Sequence, residues 1–307
     1  MAMDDFSVSI LGCGAALPTS RHYPSSQVVN YRNSLYMIDC GEGCQLQFRK
    51  MKLKFNRLNH IFLSHLHGDH CLGLPGLVST LGLLGRTSPL TIHAHRDAEK
   101  LFVPLIEYLC KQLPFSLEFH AIEPQKYGLI YEDKSLNVYT IPLKHRVPTC
   151  GFLFEEKEKD RHMLPDVVKF YQIPVYQINN IKKGADFVCA DGRVIPNARL
   201  TCAADPVRRY AYCSDTLYQK KIIQYISSAD LLYHEATYGK EWERRADETF
   251  HTTAEQAAMI ACDAKVKKLI IGHFSARYKD DESALLQEAR NIFPETVLCK
   301  EGKVFKI

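Results

Sequence analysis

Residues 65–70 read His-Leu-His-Gly-Asp-His, three imidazoles and a carboxylate within six positions, between the apolar stretches "IFL" and "CLGLPGL". Burying that many polar rings among apolar neighbours without a partner strands their hydrogen-bonding groups, so the hexapeptide points to bound metal. His65 and His67 stand two apart in an extended segment, which lets both rings turn the same way. Gly68 relieves crowding before Asp69 and His70, which face the start of the following helix. One ion would take the first pair and a second ion Asp69 and His70. Four ligands cannot saturate two tetrahedral ions, so further donors must come from elsewhere in the chain.

Three polar residues that each close an apolar strand can supply them. His145 ends "NVYTIPLKH", Asp215 ends "RYAYCSD" and His273 ends "KLIIGH". Site one would then hold His65, His67 and His145, and site two Asp69, His70 and His273. Asp215 would bridge both through its two oxygens. That leaves a position for water between the ions, the usual design of a two-metal hydrolytic site with ions ~3.5–4 Å apart. The other histidines (His22, His60, His93, His95, His120 and His162) read as structural.

The elements that must position these seven side chains alternate along the chain. "FSVSILGCGAALP" reads as a strand, and "SSQVVNYRNSLYMIDCGEG" as two strands joined by a tight turn at Arg32–Asn33. "LNHIFLSH" is a strand running into the histidines, and "DHCLGLPGLVSTLGLLG" reads as one buried helix. "LTIHAH", "SLNVYTIPLKH", "RRYAYCSD", "LLYHEAT" and "KKLIIGH" are further strands. Between them "GCQLQFRKMKL", "EKLFVPLIEYLCKQL", "QKKIIQYISSAD", "TTAEQAAMIACDAK" and "ESALLQEARNIF" have helical spacing, with Thr252 and Glu255 placed as a capping box. The expectation is an α/β protein, one domain over 1–307, with functional residues at strand ends along one edge. Residues 155–199 depart from it: charged, broken by prolines and without a sustained apolar period, they read as an inserted arm.

Composition sets the outer bounds. With 307 residues, 46% hydrophobic and 24% charged, the chain can bury a substantial core, and no run approaches the ~18 apolar residues of a membrane span. The opening "MAMDDFSVSI" lacks a basic then apolar leader pattern, so a cytoplasmic location is expected. Eleven scattered cysteines with no CxxC read as reduced and mostly buried, and a zinc–thiolate site on Cys40 and Cys44 lacks a second pair. A net charge of +4 permits a polyanionic partner without requiring one.

"SHLHGDH", a preceding strand-end Asp39, a lone histidine, a bridging aspartate and a final "GH" follow the motif order of the metallo-β-lactamase superfamily. Within it, "CLGLPGLVSTLGL", "LKHRVPTCGF", "YCSDT", and "HEAT" followed by "FHTTAEQAA" resemble the ribonuclease Z family over almost the whole chain. The resemblance implies an αββα sandwich with metals at one edge and two zinc ions per subunit. It implies an endoribonuclease that cuts the 3′ trailer from precursor tRNA and leaves a 3′-hydroxyl on the tRNA. It also implies that Asp69 accepts a proton from the attacking water. The departing 3′-oxygen then needs a proton, for which His251, oriented by Glu235, is the candidate donor. Asp39 would support the ligands by hydrogen bonds from behind. Homodimerisation, with one subunit's arm serving the other's active site, is implied by the family alone.

Two stretches depart from that pattern. The arm carries no Gly-Pro motif, and between Glu155 and Arg199 eight Lys/Arg face seven Asp/Glu, a net of +1. "LPTSRHYPSSQ" replaces a PxKxRN-type loop, leaving Arg21 and Ser25 to handle the tRNA end, and "FRKMKLKFNR" offers a basic run for phosphate contacts. The rival readings are a small-substrate phosphodiesterase or other hydrolase of the same fold, a di-iron oxidoreductase, and a non-catalytic RNA-binding scaffold. The oxidoreductase would want a carboxylate in place of one histidine, and the scaffold would have lost ligands.

Overall fold

The computed structural model describes residues 6–278 and 281–307. Strands are numbered along the chain. β1 (Phe6–Gly12), β2 (Ser26–Tyr31), β3 (Ser34–Ile38), β4 (Leu58–Phe62), β5 (Leu90–His95) and β6 (Leu117–Ile122) form a first sheet. β7 (Gly128–Glu132), β8 (Leu136–Pro142) and β9 (Cys150–Glu156) belong to a second sheet; β10 (His162–Met163), β11 (Phe187–Val188), β12 (Val194–Ile195) and β13 (Thr201–Cys202) are short pairs. β14 (Arg209–Cys213), β15 (Leu231–Glu235), β16 (Leu269–Gly272) and β17 (Thr296–Leu298) complete the second sheet, and β18 (Val304–Lys306) joins the first. The sheet orders are β18-β1-β2-β3-β4-β5-β6 and β17-β16-β15-β14-β9-β8-β7.

Local chemistry explains the pairings. Arg32 and Asn33 both adopt positive φ, 47° and 67°, the two-residue turn whose twist suits a hairpin, and β2 pairs antiparallel with β3 across it. β3 to β6 run parallel, as do β14 to β17, and their inner strands are apolar runs buried on both faces. Phe62 of β4 meets Phe152 and Phe154 of β9 at ring separations of 5.6 and 5.5 Å, which places the two sheets face to face. The outer face of the first sheet carries α1 (Cys44–Lys50), α2 (Gly68–Cys71), α3 (Leu74–Leu83) and α4 (Asp97–Leu109) over a core that includes Met37, Phe48, Leu63, Leu77 and Phe102. Helices α5 (Pro165–Phe170), α6 (Val175–Lys182) and α7 (Asn197–Leu200) lie in the charged stretch; α8 (Ile223–Ile226), α9 (Glu243–Thr249), α10 (Ala254–Asp263) and α11 (Ser283–Arg290) follow. α10 and α11 pack on the second sheet, giving the αββα order of layers.

The chain divides into two compact units: 1–132, 137–154 and 209–307 form one, 133–136 and 155–208 the other. The second unit has its own small core of Ile173, Ile181, Phe187, Ile195 and Leu200. Arg208 grips Glu156 there through Nε and a terminal nitrogen at 3.0 and 2.7 Å.

Some local expectations need correction. The helix after the histidines breaks into α2 and α3 at Gly73, where a Cβ would stand 2.1 Å from the Gly41 carbonyl; Pro75 then starts α3. The capping box of α10 is Thr253 with Gln256, one residue later than Thr252 and Glu255, because Thr252 turns its hydroxyl to the Thr216 carbonyl at 2.5 Å. β6, β7, β9, β17 and β18 had no expected counterpart. Among the described residues no helix is long and apolar enough to cross a membrane.

Candidate metal centre

The site is built on strand ends. Past β4, the chain reaches His67, extended at φ −73°, ψ 150° as the N-cap of α2, and the first turn of α2 carries Asp69 and His70. Asp39 after β3, Asp215 after β14 and His273 after β16 all take the left-handed conformation, at φ 56°, 61° and 60°. Such backbone costs non-glycine residues about 1–3 kcal/mol each and persists where surrounding contacts over-determine it. Here it turns Asp215 and His273 off their strands toward the same donor groups, and Asp39 toward the far nitrogen of His70.

All seven sequence-derived ligands meet in two groups, His65, His67, His145 with Asp215 and Asp69, His70, His273 with Asp215, every donor atom within 4.8 Å of the others in its group. In the first, His67 Nδ1 lies 3.1 Å from His65 Nε2 and 3.3 Å from His145 Nε2. In the second, His70 Nε2, His273 Nε2 and Asp69 Oδ2 are mutually 3.4 Å apart. Asp215 divides its oxygens between them: Oδ2 faces His65 and His145 at 3.6 and 3.7 Å, and Oδ1 faces His70 and His273 at 3.2 Å each. Donors on a tetrahedral ion with bonds of 2.0–2.2 Å are spaced about 3.3–3.6 Å. The imidazole and carboxylate set therefore fits a pair of divalent ions.

The far nitrogens are fixed as well. His65 donates from Nδ1 to Ser64 Oγ (3.0 Å), His70 to Asp39 Oδ2 (2.7 Å), His145 to the Phe250 carbonyl (2.9 Å) and His273 to Thr237 Oγ1 (2.8 Å). Each bond sets the tautomer that leaves Nε2 free for a metal. His67 is the exception, presenting Nδ1. Asp39, fully buried, also accepts from the Ser64 amide (2.7 Å) and the Tyr212 hydroxyl (2.7 Å), so it stands behind the ligands. Ser64, Thr237, Tyr212 and Phe250 are partners the sequence reading did not single out. All four lie inside motifs quoted above, but the Phe250 partner is a backbone carbonyl, which carries no sequence signal.

Glu235 and His251 form a second layer. Glu235 Oε1 accepts from His251 Nδ1 (2.9 Å) and the Thr216 amide (2.7 Å), while Oε2 accepts from Thr237 Oγ1 (2.5 Å) and the Thr252 amide (3.2 Å). The ring of His251 lies 5.3 Å from that of His273 and borders a 410 Å³ cavity with Ala15, Leu17, Tyr238, Ser275 and Arg277.

Charge follows geometry. Burial, reinforced by His70, pushes His65 well below its usual pKa, and burial also lowers His67 and His145, which keeps those rings neutral as ligation requires. Burial opposes ionisation of Asp69 and Asp215, but the surrounding imidazoles outweigh it and hold both carboxyls below the usual carboxylate range. Burial likewise opposes charge on His251, yet Glu235 overcomes it and raises the ring to about 9.

Arg21 pairs with Glu282 through two nitrogens at 3.2 and 3.3 Å, and Ser25 is buried. Arg49, Lys50, Lys52 and Lys54 are exposed.

Relatives share this framework. A ribonuclease Z from Bacteroides thetaiotaomicron is 58% identical over 305 residues, spanning 99% of this chain and 96% of that protein. The chain belongs to the ribonuclease Z family. The candidate ligands therefore sit in a ribonuclease Z framework rather than on an unrelated α/β scaffold. The family described as "Anti-Pycsar protein Apyc1" matches residues 6–105 only. Among solved structures, the short form of human tRNase Z has a TM-score of 0.69 at 24% identity, covering 97% of this chain and 98% of its own. The metallo-β-lactamase fold protein YhfI from Bacillus subtilis has a TM-score of 0.68 at 19% identity, covering 99% and 100%. At those identities the likeness is one of fold, and it is the metallo-β-lactamase sandwich.

Proposed function

We propose that this ribonuclease Z is a zinc-dependent endoribonuclease of the cytoplasm that cleaves the 3′ trailer from precursor tRNA, leaving a 3′-hydroxyl on the tRNA. The observation that carries the reading is Asp215, whose two oxygens each face one complete group of donors. His65, His67 and His145 would hold one ion and Asp69, His70 and His273 the other. Two ions bound there would lower the pKa of water and offset charge on the phosphoryl oxygens.

The protein's own residues then divide the proton work. Asp69, ionised, orients the attacking water and accepts its proton. His251, charged at neutral pH because Glu235 raises it to about 9, donates to the departing 3′-oxygen from the wall of the cavity. Glu235 fixes that ring through Nδ1 and, through Thr237, ties the donor to the ligand His273. Asp39 and Ser64 hold the imidazoles of His65 and His70 in place.

The unit around 155–199 is the substrate-binding arm of a 1–307 enzyme domain on this proposal, with Phe170, Val175 and Tyr176 exposed on it. A homodimer is supported by Leu101, Leu105, Tyr108 and Leu109, an exposed apolar stripe along α4. Incubation with a 3′-extended tRNA, with and without chelator, tests the reading: one cut at the trailer boundary, lost with chelator, is expected. Excising the arm should abolish that cut while hydrolysis of a small aryl phosphodiester persists. Retained precursor cleavage after excision would remove the arm's role, and turnover of the small ester alone by the intact protein would favour the small-substrate phosphodiesterase.

A further inference from the structure

A second cluster of metal-ligating side chains lies outside this centre, where the loop after β1 meets the turn before β18. Cys13 Sγ is 3.4 Å from His22 Nδ1 and 3.5 Å from Glu301 Oε1, and His22 Nδ1 is 3.1 Å from both carboxylate oxygens of Glu301. Cys13 is buried, and the side chains of His22 and Glu301 are only 9% and 13% exposed. None of these three residues is among the seven donors of the strand-end centre.

The spacing fits one ion. Zinc bonds of ~2.3 Å to sulfur and ~2.0–2.2 Å to nitrogen and oxygen separate tetrahedral donors by about 3.3–3.6 Å. Hydrogen bonds account for the same contacts poorly. Three mutually touching atoms have one ring N–H and one S–H to share, and a charged N–H···O bond favours one oxygen at about 2.7–2.9 Å. Here both oxygens are equally far from the same nitrogen. The other ring nitrogen is also placed as in a metal site: His22 Nε2 lies 3.1 Å from Glu282 Oε1, and Arg21 holds Glu282 in turn. A carboxylate behind a ligating histidine orients the ring and raises its basicity. The thiol and carboxylate donors supply negative charge to offset a divalent cation.

We infer that Cys13, His22 and Glu301 bind one zinc ion per chain, a site distinct from the hydrolytic pair. It would brace that pair. Phe274, next to the ligand His273, donates its amide to the Cys13 carbonyl at 3.0 Å and accepts from the Ala15 amide at 3.1 Å. The Phe274 ring packs 5.8 Å from that of His22. An ion held by both ends of the loop would therefore fix Ala15–Leu17, which line the cavity beside His251.

The metal-free rival is an imidazolium: Cys13, Glu282 and Glu301 together would raise His22 to about 12 and leave it as a charged link between the two carboxylates. Cobalt loading of the full-length enzyme separates the two. The hydrolytic centre offers only nitrogen and oxygen donors, so a near-ultraviolet thiolate-to-cobalt charge-transfer band that disappears in Cys13→Ser reports this cluster, whereas a band from the Cys40–Cys44 pair, with sulfurs 3.3 Å apart, would survive that substitution. The expected result is that band in the parent protein, with Cys13→Ser abolishing it and lowering metal content by one ion per chain. Glu301→Gln, a milder change that keeps the Cys13 thiol, should also lower metal content and shift the band, and it serves if Cys13→Ser does not fold. Absence of the band from the cobalt-loaded parent, or equal metal content in the parent and both variants, would overturn the inference.

Discussion

Two sets of three histidines stand near the first sheet in opposite surroundings. His65, His67 and His70, beyond the end of β4, converge on carboxylates, and the far nitrogens of His65 and His70 are held by Ser64 and Asp39. His60, His93 and His120 sit on β4, β5 and β6. His60 Nδ1 is 3.3 Å from His93 Nε2, and the His93 and His120 rings are 5.3 Å apart, but among the described residues no carboxylate joins them as a donor group. His93 lies flat on Phe62 at 4.5 Å, its Nδ1 has no hydrogen-bond partner among the described residues, and burial with His60 and His120 nearby lowers its pKa to about 3. Proximity of imidazoles is therefore not what sets the candidate centre apart. Its carboxylates and fixed tautomers are.

Substitutions in the two regions should differ in kind. Asp69→Ala should reduce trailer cleavage by about 10²–10⁴-fold or more, because it removes both a ligand and the proton acceptor, with circular dichroism unchanged. Retained activity would make the two regions equivalent. His251→Ala should cost a similar 10²–10⁴-fold at unchanged metal content, and metal loss instead would reassign it as a ligand. Glu235→Gln removes the charge that raises His251 to about 9, so the alkaline limb of kcat/KM should move to lower pH, as expected for a donor that must be protonated. An unmoved limb would detach Glu235 from the donor.

Asp39→Asn is a smaller change, expected to weaken metal affinity or activity about 10–100-fold, measured by competition with a chelator. His93→Phe should leave cleavage and metal content unchanged and alter stability at pH 7 by about 1.5 kcal/mol or less. It should also reduce sensitivity to acid. With the folded pKa of His93 depressed, the unfolded chain binds the proton first, so stability contributed by the neutral ring is lost as pH falls from about 6.5 toward about 3. Thermal melts across that window should show a shallower loss for the variant.

Much of the candidate centre could be read from the sequence because its chemistry sits where chain logic expects a turn: His145, Asp215 and His273 each interrupt an apolar strand's end with a ligand type. Asp39, and Glu235 with His251, could be read only through the family resemblance. Tyr212 and the Phe250 carbonyl could not, since nothing in their residue type announces a hydrogen bond made across the sandwich. The fold class was readable from strand–helix alternation, whereas β6, half exposed, and β17 and β18, three residues each, give weak periodic signals. The break at Gly73 depends on the Gly41 carbonyl beside it, a contact from another element. Cys13, His22 and Glu301 were invisible as a group because 279 residues separate the last two.

Anomalous diffraction at the zinc edge from crystals of the purified protein tests the central claim most directly. Two peaks are predicted in the strand-end pocket, one among His65, His67 and His145 and one among Asp69, His70 and His273, with an Asp215 oxygen on each. A single peak there, or an ion held by Glu235, His251 and His273 in place of the second, would contradict the account.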